Sequence, residues 1–240
     1  MFFVHIPKTA GNYVRLIFSK IGLVLNEPNF GDRKEKHMMA KDNIYRFNPK
    51  ITKAPFPDNY FKNYLRTNEY QKSNYSFTVV RDPLSLLKSY YFHGKNYKFG
   101  WGNFQHYHSL KTFDKFVDFY CNCDPDEWHV PELNKNLFSQ IYDENESPKV
   151  NFALYYESLD DQIFKLIEIT DGKFISKNFK LIKLLIHKGI KKNQNRMSHI
   201  NYSDFYSNKK KNMVKKKCEK IYDNFDFSNR REKKNLKIFK

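Results

Sequence analysis

The first twenty-one residues constrain the fold more than any other stretch. Phe2-Phe3-Val4-His5-Ile6 is a short apolar run of β-formers that stops at Pro7, passes through Lys8-Thr9-Ala10-Gly11, and resumes as Val14, Leu16, Ile17, Lys20 and Ile21 at helical spacing. The order is strand, loop, helix. Such a loop aims consecutive backbone N–H groups and the positive end of a helix dipole at one point, which makes it an anion site. Lys8 and the hydroxyl of Thr9 join those donors. The pattern differs from a Walker loop, whose lysine follows the second glycine and precedes a Ser or Thr for magnesium; here the lysine comes first and Asn12 follows Gly11.

A second strand-loop-helix unit lies about seventy residues on, in Tyr75-Ser76-Phe77-Thr78-Val79-Val80-Arg81-Asp82-Pro83 and the helical run Leu84 to Tyr91. Pro83 suits a first helical position because it needs no N–H there. Arg81 stands at the end of a strand that is near-continuously apolar, and its fork matches a phosphate. Ser89 falls about two turns along the helix. A buried core does not choose an arginine at a strand end without a partner for it.

The order His5-Ile6-Pro7-Lys8-Thr9-Ala10-Gly11 resembles the 5′-phosphosulfate loop of sulfotransferases that use 3′-phosphoadenosine-5′-phosphosulfate (PAPS), in particular the carbohydrate branch that includes the heparan sulfate 2-O-sulfotransferases. Val80-Arg81-Asp82-Pro83, with Ser89 six residues after the proline, resembles that family's 3′-phosphate motif, and Glu157-Ser158-Leu159 resembles its later Glu-Asn-Leu strand end. The resemblance implies a three-layer α/β fold of the P-loop kinase-like kind, with a central parallel sheet flanked by helices, and PAPS as sulfate donor without a metal. It places Lys8 on the bridging or leaving oxygen as a catalytic residue, and Thr9, Ala10, Gly11 and Asn12 around the 5′-phosphate. Arg81 and Ser89 take the 3′-phosphate, and Arg196 with Ser198 stands in a late loop that folds over the nucleotide.

For the general base, His37-Met38-Met39-Ala40 resembles the family segment with a catalytic histidine, and Glu35 is the alternative. The chain departs from the family at Asn12 and Tyr13, where Thr and Ser are usual, and at Leu86, where relatives often carry a structural arginine. The implied acceptor is a hydroxyl of a carbohydrate, an anionic one included. Phe99, Trp101 and Tyr107, in a glycine-rich aromatic stretch, offer flat faces for sugar rings.

At 240 residues the chain has the length of one domain spanning 1–240, with a basic helical segment from about residue 203. Its 23 Phe and 17 Tyr argue for a folded protein, and the formal charge of +17 implies polyanionic company. Lys209 to Lys240 holds 13 Lys/Arg against 4 Asp/Glu and reads as a solvated helix face. Two rival readings follow from these features. A P-loop nucleotide kinase or phosphotransferase needs a lysine where Asn12 stands. A basic nucleic-acid-binding protein accounts for the charge but gives no reason for the spacing of Lys8, Arg81 and Ser89.

Three cysteines, Cys121, Cys123 and Cys218, are too few for a disulfide framework and read as partly buried free thiols in a reducing compartment. His106-Tyr107-His108 lacks an evident third metal ligand. With the loop so near the first residue and the longest apolar stretch, Leu16 to Leu25, well short of the ~20 residues of a membrane span, the expectation is a cytoplasmic protein without a signal peptide or anchor.

Elsewhere the pattern predicts a short strand at Leu23 to Leu25, a short helix near Tyr60 to Leu65, and a helix at Phe113 to Tyr120 entered through Thr112 and Asp114. A strand follows over Val150 to Glu157, then a helix from Ser158 that Gly172 ends. Further helices are expected at Leu181 to His187 and from about Ser203 to Tyr222.

Overall fold

The apolar runs predicted as strands lie side by side. In the computed structural model the described residues are 1–4, 6, 9–21, 23, 74–96, 110, 112–122, 141–142, 145–148, 150–172, 179–180, 182–184, 205–228 and 235–239. Strand β1 (Phe2–Val4) pairs parallel with β2 (Ser76–Val80), Phe3 opposite Phe77 and Val4 opposite Thr78. Strand β3 (Phe152–Tyr155) adds parallel to the other side of β2, with Val80 opposite Tyr155. A two-residue strand, β4 (Lys237–Ile238), closes on β3 antiparallel, so the open sheet runs β1-β2-β3-β4. The fold is α/β with a mostly parallel sheet.

Alternation along the strands divides the core between the two faces. Phe3, Phe77, Val79, Phe152 and Leu154 meet helix α1 (Gly11–Ile21) on one face, through Val14, Ile17, Phe18 and Ile21. Phe77 stacks between Phe3 and Phe18, at 4.9 and 5.6 Å between ring centroids. Helix α4 (Leu159–Thr170) buries Leu159, Ile163, Leu166 and Ile167 in the same core. On the other face, Val4, Val80, Ala153 and Tyr155 meet helices α2 (Pro83–Asn96) and α3 (Phe113–Asn122). All five residues of β2 are buried, which is why that strand reads as a near-continuous apolar run, its Ser76 and Thr78 hydroxyls being hydrogen-bonded.

Several predicted boundaries moved for identifiable reasons. The strand expected over 150–157 is regular only over Phe152–Tyr155, and Tyr156–Ser158 wind into a 3₁₀ turn leading into α4. Ser158 stands at that helix start without a side-chain capping bond. Thr112 does cap α3, its hydroxyl accepting the Lys115 N–H at 3.3 Å. The C-terminal helix is two: α5 (Asn208–Lys217), capped by Ser207, and α6 (Glu219–Asn224). They meet at Cys218 so that Val214, Cys218, Ile221 and Phe225 all reach the core of the second face. The basic segment is therefore an integral layer of the fold as well as a charged surface. Within the expected helix at 181–187, Ile182–Leu184 are helical. The predicted strand at 23–25, the helix near 60–65 and the aromatic stretch with Phe99, Trp101 and Tyr107 lie essentially outside the described residues.

Candidate anion site at the strand tips

Because β1 and β2 are parallel neighbours, the loops that follow them leave the same edge of the sheet. This is the edge, beyond the C-terminal strand ends, where open α/β sheets place ligands. Thr9 is fully buried and its hydroxyl donates to the Ile6 carbonyl at 2.6 Å, which tightens the loop. Ala10 then adopts φ +67°, a left-handed conformation uncommon outside glycine. Its carbonyl accepts the N–H groups of Tyr13 and Val14, so Ala10 is the residue at which α1 begins. The N–H groups of Gly11 and Asn12 belong to the first turn, where no intrahelical acceptor exists. The sequence departure at Tyr13 also has an outcome. Its hydroxyl donates to the Asp160 carboxylate in the first turn of α4, and burial together with that carboxylate raises its pKa.

Arg81 leaves the tip of β2 and is buried, with 4% of its surface exposed. Its Nε donates to Ser85 Oγ at 2.9 Å, and its guanidinium carbon lies 4.1 Å from the centroid of the Tyr156 ring, at the tip of β3. A hydrogen bond in the plane and an aromatic ring against the face fix how the fork is turned. Ser85 and Ser89 are four residues apart, hence on one side of α2, and both are buried. Asp82 caps α2: its Oδ1 accepts the Leu84 N–H at 3.2 Å and the Tyr222 hydroxyl at 2.9 Å. Burial, then the Asp82 charge, raise the pKa of Tyr222.

The next residue of the β3 tip, Glu157, is mostly buried beside this pair. The backbone at residues 157 and 82 favours its charged form, while its Oε2 is buried without a hydrogen-bond partner among the described residues. Burial pushes its pKa up, Asp82 adds to that, and Arg81 opposes it. Lys88, beside Ser89, is 1% exposed with its Nζ 3.7 Å from the Phe205 ring centroid.

Known proteins offer no guide. No family model, curated protein or solved structure matches the chain. Of the residues predicted for the site, Thr9, Ala10 and Gly11 fall on the first loop-helix junction and Arg81 on the second, Ser89 lies about two turns along α2, and the backbone of Asn12 lies in the first turn of α1. Lys8, Glu35, His37 and Arg196 lie outside the described residues, as does the side chain of Asn12.

Sequence reasoning missed Ser85, Tyr156 and the Glu157 carboxyl. Ser85 was in principle legible from its i+4 relation to Arg81, whereas Tyr156 and Glu157 enter only through the register of β3 on β2. Among the described residues no three His, Cys, Asp or Glu side chains are grouped to hold a metal ion, and no helix is long and apolar enough to cross a membrane.

Proposed function

We propose that the protein is a sulfotransferase that moves a sulfuryl group from PAPS to a hydroxyl, most fittingly on a carbohydrate, within a P-loop kinase-like variant of the α/β fold. The observation that carries the reading is the parallel pairing of β1 and β2, which sends the Thr9–Gly11 turn and Arg81 out of one sheet edge. One nucleotide with phosphates at both ends suits two such junctions: the N-terminus of α1 for the 5′-phosphate, and Arg81 with Ser85 and Ser89 for the 3′-phosphate.

In the reaction the acceptor oxygen attacks sulfur in line and the bond from sulfur to the 5′-phosphate oxygen breaks. The hydroxyl proton passes to a base, and adenosine 3′,5′-bisphosphate leaves. The group transferred is already activated, so the work left to the protein is positioning and stabilisation of charge on the departing phosphate. Backbone N–H groups of the first turn of α1 do part of this, and Lys8 is assigned the leaving oxygen. His37, or Glu35 in its place, is assigned the proton; Arg196 is assigned the cover over the nucleotide.

Calorimetry tests the reading. Adenosine 3′,5′-bisphosphate is expected to bind on the order of a hundredfold more tightly than AMP, the margin of charge-assisted bonds to one extra phosphate. Equal affinities remove Arg81 from the site. With labelled PAPS and a panel of glycans, Lys8→Ala is expected to abolish transfer while the fold persists, and a Lys8→Ala protein with near-parental turnover overturns the mechanism. His37→Ala is expected to slow turnover without changing nucleotide affinity; an unchanged rate moves the base to Glu35.

A further inference from the structure

Glu157 poses a problem for any anion held by Arg81. It follows Tyr156, whose ring lies against the Arg81 guanidinium at neighbouring tips of the parallel strands β2 and β3, and its Oε2 is buried without a donor among the described residues. Were it ionised, an incoming phosphate or sulfate group at Arg81 would meet two carboxylates, Asp82 and Glu157, at one largely buried corner of the sheet edge. Asp82 is held in place by donors, its Oδ1 receiving the Leu84 N–H and the Tyr222 hydroxyl.

Among the described residues, the other ionisable groups around this corner are otherwise engaged. Asp160 takes the Tyr13 hydroxyl, Asp161 is exposed, and Tyr156 lies under Arg81. Glu157 is the group left to give way among the described residues.

We infer that Glu157 is the proton-carrying member of the anion site: an anion bound at Arg81 is accompanied by a proton taken up on Glu157, which leaves the arginine's charge to the ligand. The step is a proton transfer from solvent to the Glu157 carboxylate. Its consequence is an affinity that strengthens as pH falls. The inference rests on the proposed reading in one respect only, that Arg81 receives an anion.

The experiment uses two probes: sulfate, which does not titrate near neutrality, and adenosine 3′,5′-bisphosphate kept above about pH 7.5, well clear of the second phosphate pKa of about 6, where its phosphates are almost entirely doubly ionised. Binding heats are measured in buffers of different ionisation enthalpy, and infrared difference spectra are recorded on adding each probe. Expected are proton uptake on binding, loss of a carboxylate band with gain of a protonated carboxyl band, and affinity rising by up to about tenfold per pH unit of acidification.

In Glu157→Gln the uptake and band change are expected to vanish and the affinity to become flat with pH while binding persists. Binding without proton uptake in the parent, or uptake unchanged in Glu157→Gln, overturns the inference. Should the variant not fold, the parent's buffer series and infrared bands decide alone. Sulfate uptake with no bisphosphate binding removes the nucleotide reading and leaves the role of Glu157 standing; failure of both probes removes both.

Discussion

Ala10 sits in a conformation that a methyl group resists, at the junction from which the first helix donates its N–H groups. A left-handed alanine costs roughly 1–2 kcal/mol, and glycine returns part of this by loosening the unfolded chain. Ala10→Gly is expected to raise stability by up to about 1 kcal/mol, and Ala10→Val to lower it, read as opposite shifts of the urea midpoint at constant slope. The reverse order would mean that the turn carries no strain. Ser85 does for Arg81 what the turn does for the loop: it orients a group. Ser85→Ala keeps a good helix former and removes the acceptor of Nε, so affinity for adenosine 3′,5′-bisphosphate is expected to fall about tenfold with helicity intact. Glu157 imposes a pH dependence on stability as well. Its pKa in the folded chain is raised above the unfolded value of about 4.3, so the folded state holds the proton more tightly. The stabilisation is fully present below the unfolded value and is lost as pH rises through the raised one. Glu157→Gln is accordingly expected to gain stability relative to the parent as pH rises through that window, measured by urea unfolding at stepped pH.

Elements α2 and α6 are joined at one atom, Asp82 Oδ1, which caps the first and anchors the second through Tyr222. Tyr222→Phe keeps the ring and removes the anchor, at an expected cost of about 1–2 kcal/mol in urea unfolding. A cost near zero would mean that packing alone holds α6. The same helices show where the sequence was readable. Strand β2 was, because burial on both faces leaves a near-continuous apolar run; so were α1 and α3, whose apolar residues repeat at one helical face. The break at Cys218 was not, since no glycine or proline marks it and its cause is the shared core that Val214, Ile221 and Phe225 reach together. Nor was β4, two residues in a lysine-rich segment that become a strand only because Phe152 and Ala153 present an open edge. At the site the division is similar. Arg81 was legible as a charge at the end of an apolar strand. Tyr156 was not, because its place beneath the guanidinium depends on how β3 registers against β2.

Across the whole molecule, the formal charge of +17 sets the dominant long-range term. Exposed ion pairs such as Lys165–Glu168, and the contacts of Lys220 with Glu146, contribute little against it. On α5, Lys210 reaches Asp118, while among the described residues Lys209, Lys211, Lys215 and Lys216 face no carboxylate within ion-pair distance. Self-repulsion of this kind weakens the folded state and is screened by salt, whose Debye length falls to about 10 Å at 0.1 M. Sodium chloride is therefore expected to raise the melting temperature, where a fold held by surface ion pairs would lose stability. Screening depends only on ionic strength, whereas an anion bound at Arg81 stabilises by mass action. At matched ionic strength sodium sulfate is thus expected to raise Tm beyond chloride, partly through its general exclusion from protein surfaces. The part due to the site is the part that Arg81→Gln abolishes. A sulfate increment identical in the parent and in Arg81→Gln would leave the strand tips with no anion to hold.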